Sequence, residues 1–200
     1  MTAGVVLRRD LAGARRFSPP GRPGGFTMVE LVVVIVLVGI LGAIGAARFF
    51  DRTGFDAAAF ADRSAAMLRY AQKLAIAQNR NIYVLASSQG LRLCYDSGSA
   101  CAPTAQVSAP AGANSGSAAS RAFCTVAGTY VRAWECEGVP TGASMALNPG
   151  AAGAIYFNGL GRPYLTGDTG DSSFTGLTLT IKGDNLTRTV SVAQETGYVF

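Results

Sequence analysis

The chain contains no histidine, and only 14% of its 200 residues are charged. Without histidine, the sequence has no means to build a Ser-His-Asp or Cys-His catalytic centre, a histidine metal site or an imidazole pH switch. With 49% hydrophobic residues it is also too apolar for a disordered chain. Its length predicts one domain, with at most an appendage.

Patterns for catalysis and metal binding are also scarce. The sequence has no G-x-S-x-G nucleophile turn and no C-x-x-C pair. Glu135 and Glu137 alternate on a predicted strand, which favours a solvated strand face over a working carboxylate pair. Asp168 and Asp171 lie in a Gly-Asp-rich turn and are weak candidates for calcium, with an ordinary turn as the preferred interpretation. We therefore predict that the protein is not an enzyme and has no cofactor.

The positive charge is concentrated before one long apolar run. Five arginines and one aspartate precede residue 26, whereas the rest of the chain is nearly neutral. Residues 31–47 are uncharged, and a helix over residues 26–47 has a length of about 33 Å, enough to cross a bilayer. The basic flank predicts a cytoplasmic N-terminus and an external remainder. A secretory signal peptide cleaved after the apolar run is the alternative, but the run is longer than the apolar region of such a peptide.

Glu30 is the one charged residue within residues 26–47. A carboxylate near the centre of a membrane helix costs about 2.5–3.5 kcal/mol, and less near the interface, so Glu30 is expected to have a partner. If the chain is cut between Gly25 and Phe26, the new α-amine lies at the same depth. Glu30 then pairs with the amine of a neighbouring, axially staggered subunit. A tolerated interfacial glutamate is the alternative.

Residues 24–31 (GGFTMVEL) and the apolar run after them closely resemble the class III signal and N-terminal helix of type IV prepilins and type II secretion pseudopilins. The resemblance implies that a membrane prepilin peptidase removes a cytoplasmic leader, residues 1–25, by cutting after Gly25. It also implies that this enzyme N-methylates Phe26 and that Glu30 takes the assembly role described above.

The chain departs from the family pattern in two respects. A leader of 25 residues is longer than most in the family, and an upstream start codon assigned in error is the alternative. Many pilins carry a proline near the position of Ala47, and this chain has none. Gly39, Gly42 and Gly45 either supply flexibility and close helix packing instead, or reflect the high glycine frequency of membrane helices.

Beyond the membrane segment of residues 26–50, the pattern predicts an α+β fold. An apolar stripe at helical spacing predicts that the helix continues through residues 51–80, giving about 80 Å if it is unbroken. The stripe comprises Phe60, Ser64, Met67, Leu68, Ala71, Leu74, Ala75 and Gln78.

The pattern of residues 81–200 predicts an antiparallel β head. A long N-terminal helix followed by such a globular head is the pilin-like fold that the resemblance implies. Residues 129–136 alternate as one strand, and residues 177–192 form a hairpin around 183–185. Residues 97–120 are rich in Ala, Gly and Ser, and we predict an exposed flexible loop there.

The four cysteines all lie in the predicted head, in an oxidising compartment, so we expect disulfides. Four cysteines allow three connectivities. We favour the pairing that is local in sequence, Cys94 with Cys101 and Cys124 with Cys136.

A finer resemblance bears on the function. Residues 68–84 and the closing pattern of residues 155–199 resemble H-type minor pseudopilins, and residues 47–50 resemble minor pilins of mannose-sensitive-haemagglutinin type pili. This implies a subunit that initiates or caps a type IV pilus or a type II secretion pseudopilus. Its partners are the prepilin peptidase, other pilins and the inner-membrane assembly platform. The resemblance also implies that the protein crosses the bacterial inner membrane once, with its head in the periplasm.

A minor pilin that acts as a DNA receptor in natural transformation is the alternative function. Such a receptor needs a basic stripe on its head. Residues 54–200 contain 10 basic and 9 acidic residues, which disfavours nucleic acid as a partner, although Arg162, Lys182 and Arg188 are able to cluster.

Overall fold

In the computed structural model of the chain, residues 25–49, 52–98, 100–149 and 155–200 are described, with the side chains of the first range described up to residue 43. The chain divides into two units, Met1–Ala46 and Ala47–Phe200. The predicted leader, except for Gly25, lies outside the described residues.

Helix α1 (Met28–Phe49) consists mainly of aliphatic residues, many of them β-branched, so apolar side chains lie on every side of the helix. Its large apolar side chains from Met28 to Leu41 are between 48% and 87% exposed. Among the described residues, no helix combines the length and hydropathy needed to cross a membrane. The apolar run that we predict to span the membrane continues to Ala47, whose side chain lies outside the described residues.

Helix α2 (Arg52–Gln78) packs one face into the core, as its apolar spacing predicts. Leu74 is half-buried, Gln78 is exposed, and the helix ends before Asn79, which has a left-handed φ of 48°. Phe50 and Asp51 lie outside the described residues, so one continuous helix over residues 26–80 stays a prediction. The buried residues of α2 are Ala57, Phe60, Ala61, Ser64, Ala65, Met67, Leu68, Ala71 and Ala75.

The described part of the chain after α2 contains ten short strands, one short α-helix, α3 (Ala118–Phe123), and one turn of 3-10 helix (Pro103–Ala105). All recorded strand pairs are antiparallel. The strands are β1 (Ile82–Ser87), β2 (Gly90–Cys94), β3 (Thr125–Val126), β4 (Thr129–Tyr130), β5 (Cys136–Gly138), β6 (Ala143–Asn148), β7 (Ile155–Phe157), β8 (Pro163–Leu165), β9 (Leu177–Gly183) and β10 (Leu186–Val192).

The strands form a five-stranded sheet in the order β5-β2-β1-β7-β8, a three-stranded sheet in the order β10-β9-β6, and the small β3-β4 ribbon. The predicted hairpin is β9-β10, with Thr180 opposite Thr189. Helix α2 packs against strands of both larger sheets, and alternate residues of β1 and β9 point into the core. The predicted α+β class, a helical N-terminal part followed by antiparallel sheet, is confirmed.

Residues 97–120 differ from the exposed flexible loop that we predict from their composition. The Val107 N–H donates to the Leu93 carbonyl at 3.2 Å, and the Glu135 N–H donates to the Val107 carbonyl at 2.8 Å, so this segment lies beside β2. Ala105, Val107 and Ala109 are buried. Small apolar residues alternating along an extended segment bury one side as a strand does, and composition alone does not show this.

The single strand that we predict over residues 129–136 is also corrected. The structure has β4 and β5 at its two ends. Between them the Val131 N–H donates to the Cys124 carbonyl, and the Ala133 carbonyl accepts from Ala109. The backbone of this segment is therefore hydrogen-bonded to two different neighbours, which divides one alternating pattern into two short strands.

Candidate processing and assembly site

The predicted cleavage point lies directly before α1. Gly25, Phe26 and Thr27 are not helical, and Phe26 is 83% exposed. The Thr27 hydroxyl accepts a hydrogen bond from the Glu30 N–H at 3.1 Å, which makes Thr27 the N-cap of the helix. The local sequence therefore places the Gly25–Phe26 bond on an exposed, non-helical segment that ends at a capped helix.

Glu30 lies in the first turn of α1, three residues after the cap. Thr-x-x-Glu is the spacing of a capping box, and a carboxylate in a first turn is favoured by the helix dipole. The nearby apolar side chains are all exposed, so the described chain provides no apolar shell around this end of the helix. Among the described residues, Glu30 thus lies on an exposed apolar surface.

The two glycines of α1 whose surroundings are described leave open space. A Cβ built on Gly39 or Gly42 meets nothing within 4 Å. Close helix packing at these glycines stays a prediction. Gly45 lies outside the residues whose side chains are described.

In the second unit, the four cysteines form two disulfides with the pairing that we favour from the sequence. Cys94 is joined to Cys101, and Cys124 to Cys136, with Cα–Cα distances of 5.9 and 5.8 Å. All four are at most 1% exposed and pack around Trp134, whose indole N–H donates to the Leu93 carbonyl at 2.9 Å. The two disulfides therefore form one buried cluster that ties residues 101 and 124 to the sheet.

A buried carboxylate organises the segment between the two disulfides. Glu137 accepts hydrogen bonds from the Ser115 N–H at 2.7 Å, the Ser115 hydroxyl at 2.5 Å and the Ser120 hydroxyl at 2.6 Å. Arg63 of α2 lies 3.5 Å from it. The solvated strand face that we predict for Glu135 and Glu137 is therefore wrong for Glu137, because its oxygens anchor residues 115–120 to β5.

Glu135 lies in a cleft of about 300 Å³ between α2 and residues 110–115. Burial first, and then the negative charge of Glu137, raise the pKa of this carboxyl from 4.5 to about 7. Burial and then the charge of Glu135 also raise the pKa of Tyr70 on α2. The Glu135 carboxyl therefore binds a proton near neutral pH.

We expect the stability of the protein to fall as pH rises from about 4.5 to about 7, because the folded state binds the Glu135 proton more tightly than the unfolded chain does. Glu135→Gln removes this dependence and stabilises the protein at pH 8 by about 1–2 kcal/mol, a value reduced for the partial exposure of the group. Urea unfolding of both proteins at pH 4.5 and pH 8 measures the difference. Equal unfolding free energies of the unaltered protein and Glu135→Gln at pH 8 contradict the prediction. Glu195→Gln, which replaces an exposed glutamate, is the control.

Of the two weak calcium candidates, Asp168 and Asp171, the first hydrogen-bonds within its own turn. The Asp168 carboxylate accepts from the Ser173 hydroxyl at 2.6 Å, the Leu165 N–H at 2.8 Å and the Ser173 N–H at 3.0 Å. The Ser173 hydroxyl is the main cause that lowers the pKa of Asp168. Within the described ranges, no group of three acidic or cysteine side chains is placed to hold a metal. Asp168 organises its own turn.

Sequence reasoning found the local motif and missed the contacts between distant segments. Arg63 and Glu137 are 74 residues apart. The half-buried Arg92 lies against the rings of Phe123, on α3, and of Trp134, between β4 and β5. One feature of the sequence did point to the Arg92 contacts: an arginine at the centre of the otherwise apolar segment Leu91–Cys94.

Comparisons with known proteins agree with the N-terminal motif. The family model described as the prokaryotic N-terminal methylation motif matches residues 22–46. The chain is 44% identical over 61 residues to the type IV narrow pilus major component PilA5 of Thermus thermophilus, a match that covers 30% of this chain and 53% of that protein. Two crystal forms of the type IV minor pilin FimU of Pseudomonas aeruginosa match with a TM-score of 0.42, at 16% and 17% identity, over 71% of this chain and 84% and 89% of FimU.

The matched motif and the capped, exposed helix define a protein with a pilin-type N-terminal segment. Residues 22–46 carry the N-terminal methylation motif, and the chain is similar to a type IV pilin over 61 residues, in agreement with the resemblance of its N-terminal residues. It spans about half the length of the curated relative that it matches.

Proposed function

We propose that the protein is a minor pilin or pseudopilin that initiates or caps a type IV pilus or a type II secretion pseudopilus. The observation that carries the proposal is α1, a helix whose large apolar side chains are exposed from Met28 to Leu41 and whose first turn holds Glu30. A helix that is apolar all round is stable only inside a membrane or inside an assembly of such helices. The finer resemblance of residues 68–84 to H-type minor pseudopilins supports a position at a filament end.

In this proposal a prepilin peptidase removes residues 1–25 and methylates the amine of Phe26. Before assembly the protein is a single-pass subunit of the inner membrane, with residues 81–200 in the periplasm, where disulfides form. Its partners are other pilins and the inner-membrane assembly platform. It has no catalytic role and needs no cofactor.

Mass spectrometry of the N-terminus of the cellular protein tests the proposal. We expect the mature chain to begin at Phe26 and to carry one additional methyl group. Gly25→Val is expected to retain the leader, because a branched side chain replaces the smallest residue at the cut. Gly21→Val, within the leader, is the matched control and is expected to be processed normally. A mature chain that begins after the apolar run identifies a secretory signal instead and overturns the proposal.

The position at a filament end has its own measurement. Immunogold labelling of an epitope-tagged protein is expected to mark filament tips, with a few copies per filament. Deletion of the protein is expected to reduce the number of filaments per cell more than their length. Label distributed along the whole filament contradicts a capping or initiating role.

A further inference from the structure

Arg92 occupies an unusual position at the centre of β2. Its neighbours Leu91 and Leu93 are fully buried on the core side of the sheet, and Arg92 is half-buried on the other side. Across the sheet it lies opposite Leu85 of β1 and Cys136 of β5. The side chain therefore lies over apolar and disulfide-bonded positions.

Aromatic rings hold the guanidinium of Arg92. Its Cζ lies 5.0 Å from the ring centre of Phe123 on α3 and 5.9 Å from that of Trp134. These distances are those of cation–π contacts, which fix the plane of the group but satisfy none of its N–H donors. The Arg92 side chain is thus preorganised by its surroundings.

The polar needs of this guanidinium are not met within the described part of the chain. The Arg92 Nε is buried and has no hydrogen-bond partner there. The ion pairs recorded in the described ranges join other arginines, Arg63 with Glu137 and Arg162 with Glu195. Burial lowers the pKa of Arg92, which reflects the cost of holding a charge there without a counterion. Buried charges in proteins are ordinarily paired.

A trough of about 650 Å³ opens beside Arg92. It is bounded by the β1–β2 turn, by α3 and by the segment between β5 and β6. Arg92 is the one charged residue among the described residues that line it, and the polar ones are otherwise neutral: Ser88, Gln89, Thr125 and Thr141. A site of this kind offers one positive charge surrounded by hydroxyl and amide groups.

We propose that this trough binds the carboxylate of an aspartate or glutamate side chain that a second protein presents. A guanidinium matches a carboxylate in a planar, bidentate geometry. A single cation balances one carboxylate, whereas a phosphate dianion requires more positive charge. The neutral hydroxyl and amide groups of the lining are suited to the peptide backbone on either side of the acidic residue, which a small free acid lacks.

The test uses the full chain, purified in detergent micelles and labelled with nitrogen-15 so that the Arg92 Nε–H resonance is observed by NMR. The probe is the peptide acetyl-Ala-Ala-Asp-Ala-Ala-amide, with the Asn peptide of the same length as its control. We expect a saturable shift of this resonance with the Asp peptide and at least about tenfold weaker binding of the Asn peptide, since the charged pair is lost. Arg92→Lys assigns the resonance by removing it. Binding to this variant is followed through the backbone amide resonance of Gln89 in the trough and is expected to be weaker, because lysine lacks the planar fork.

Two controls keep the result interpretable. Arg188→Gln removes an exposed arginine of β10 and is expected to bind the Asp peptide as the unaltered protein does. Arg92→Gln, followed through the backbone amide resonance of Gln89, is expected to lose binding. Its thermal melting is compared first so that unfolding is not read as loss of the site. No shift of Arg92 with the Asp peptide overturns the proposal. Equal shifts with acetate or inorganic phosphate also overturn it, because they show a general anion site.

Discussion

Glu30→Gln is expected to be cleaved after Gly25 and methylated like the unaltered protein, yet to be recovered in filaments roughly 100-fold less. The proposed pair joins the Glu30 carboxylate to the α-amine of Phe26 on a neighbouring subunit, inside a bundle of apolar helices. Removing one member of such a pair leaves the other charge buried and unpaired, at a cost of about 3–5 kcal/mol. Quantitative immunoblotting of sheared filaments against the membrane fraction measures the effect.

Glutamine is the informative replacement because it separates charge from helix capping. Either glutamate or glutamine serves at the third helical position of a capping box, so the Thr27 cap and the start of α1 are expected to persist. The matched control is Glu195→Gln, which removes an exposed carboxylate paired with Arg162. Incorporation of the Glu30→Gln protein at the normal level identifies Glu30 as a tolerated interfacial residue and contradicts the proposed assembly role.

Replacing Cys124 and Cys136 with alanine is expected to lower the free energy of unfolding by about 3 kcal/mol. The disulfide closes a loop with a sequence separation of 12, and restricting the unfolded chain accounts for most of that value. The Cys94–Cys101 disulfide closes a shorter loop, with a sequence separation of 7. Replacing these two cysteines with alanine is therefore expected to lower the free energy of unfolding slightly less, by about 2.5 kcal/mol. Urea denaturation of the full chain under non-reducing conditions measures both.

A reductant provides the internal control for the disulfide experiment. It is expected to destabilise the unaltered protein and to leave a variant without any cysteine unchanged. Non-reducing mass spectrometry of the protein taken from cells is expected to find both disulfides formed. Free thiols at these positions contradict the periplasmic location as well as the stabilising role.

Features of this chain that depend on residues close together in sequence were predicted correctly, whereas features that depend on distant residues were not. The capped start of α1 and the spacing of Gly25, Phe26 and Glu30 are encoded within six consecutive residues. The buried face of α2 and the β9-β10 hairpin follow from periods of 3.6 and 2 residues, which burial imposes directly on the sequence.

The sequence did not reveal features that depend on segments far apart along the chain. Residues 105–109 contain the small residues typical of a loop, but contacts with β2 and residues 133–135 bury them. Glu137 appears on an alternating strand like any exposed acid, and its burial depends on serines 17 and 22 residues earlier. No local pattern encodes either arrangement, because the partners are far apart in sequence and meet only in the folded structure.

The packing of Trp134 against both disulfides also gives the molecule an optical reporter of its redox state. Trp134 is the only tryptophan in the sequence, and all four half-cystines surround it. Cystines in contact with an indole quench its fluorescence by accepting an electron from the excited ring. The brightness of unlabelled protein therefore follows thiol oxidation during maturation, without any dye or engineered label.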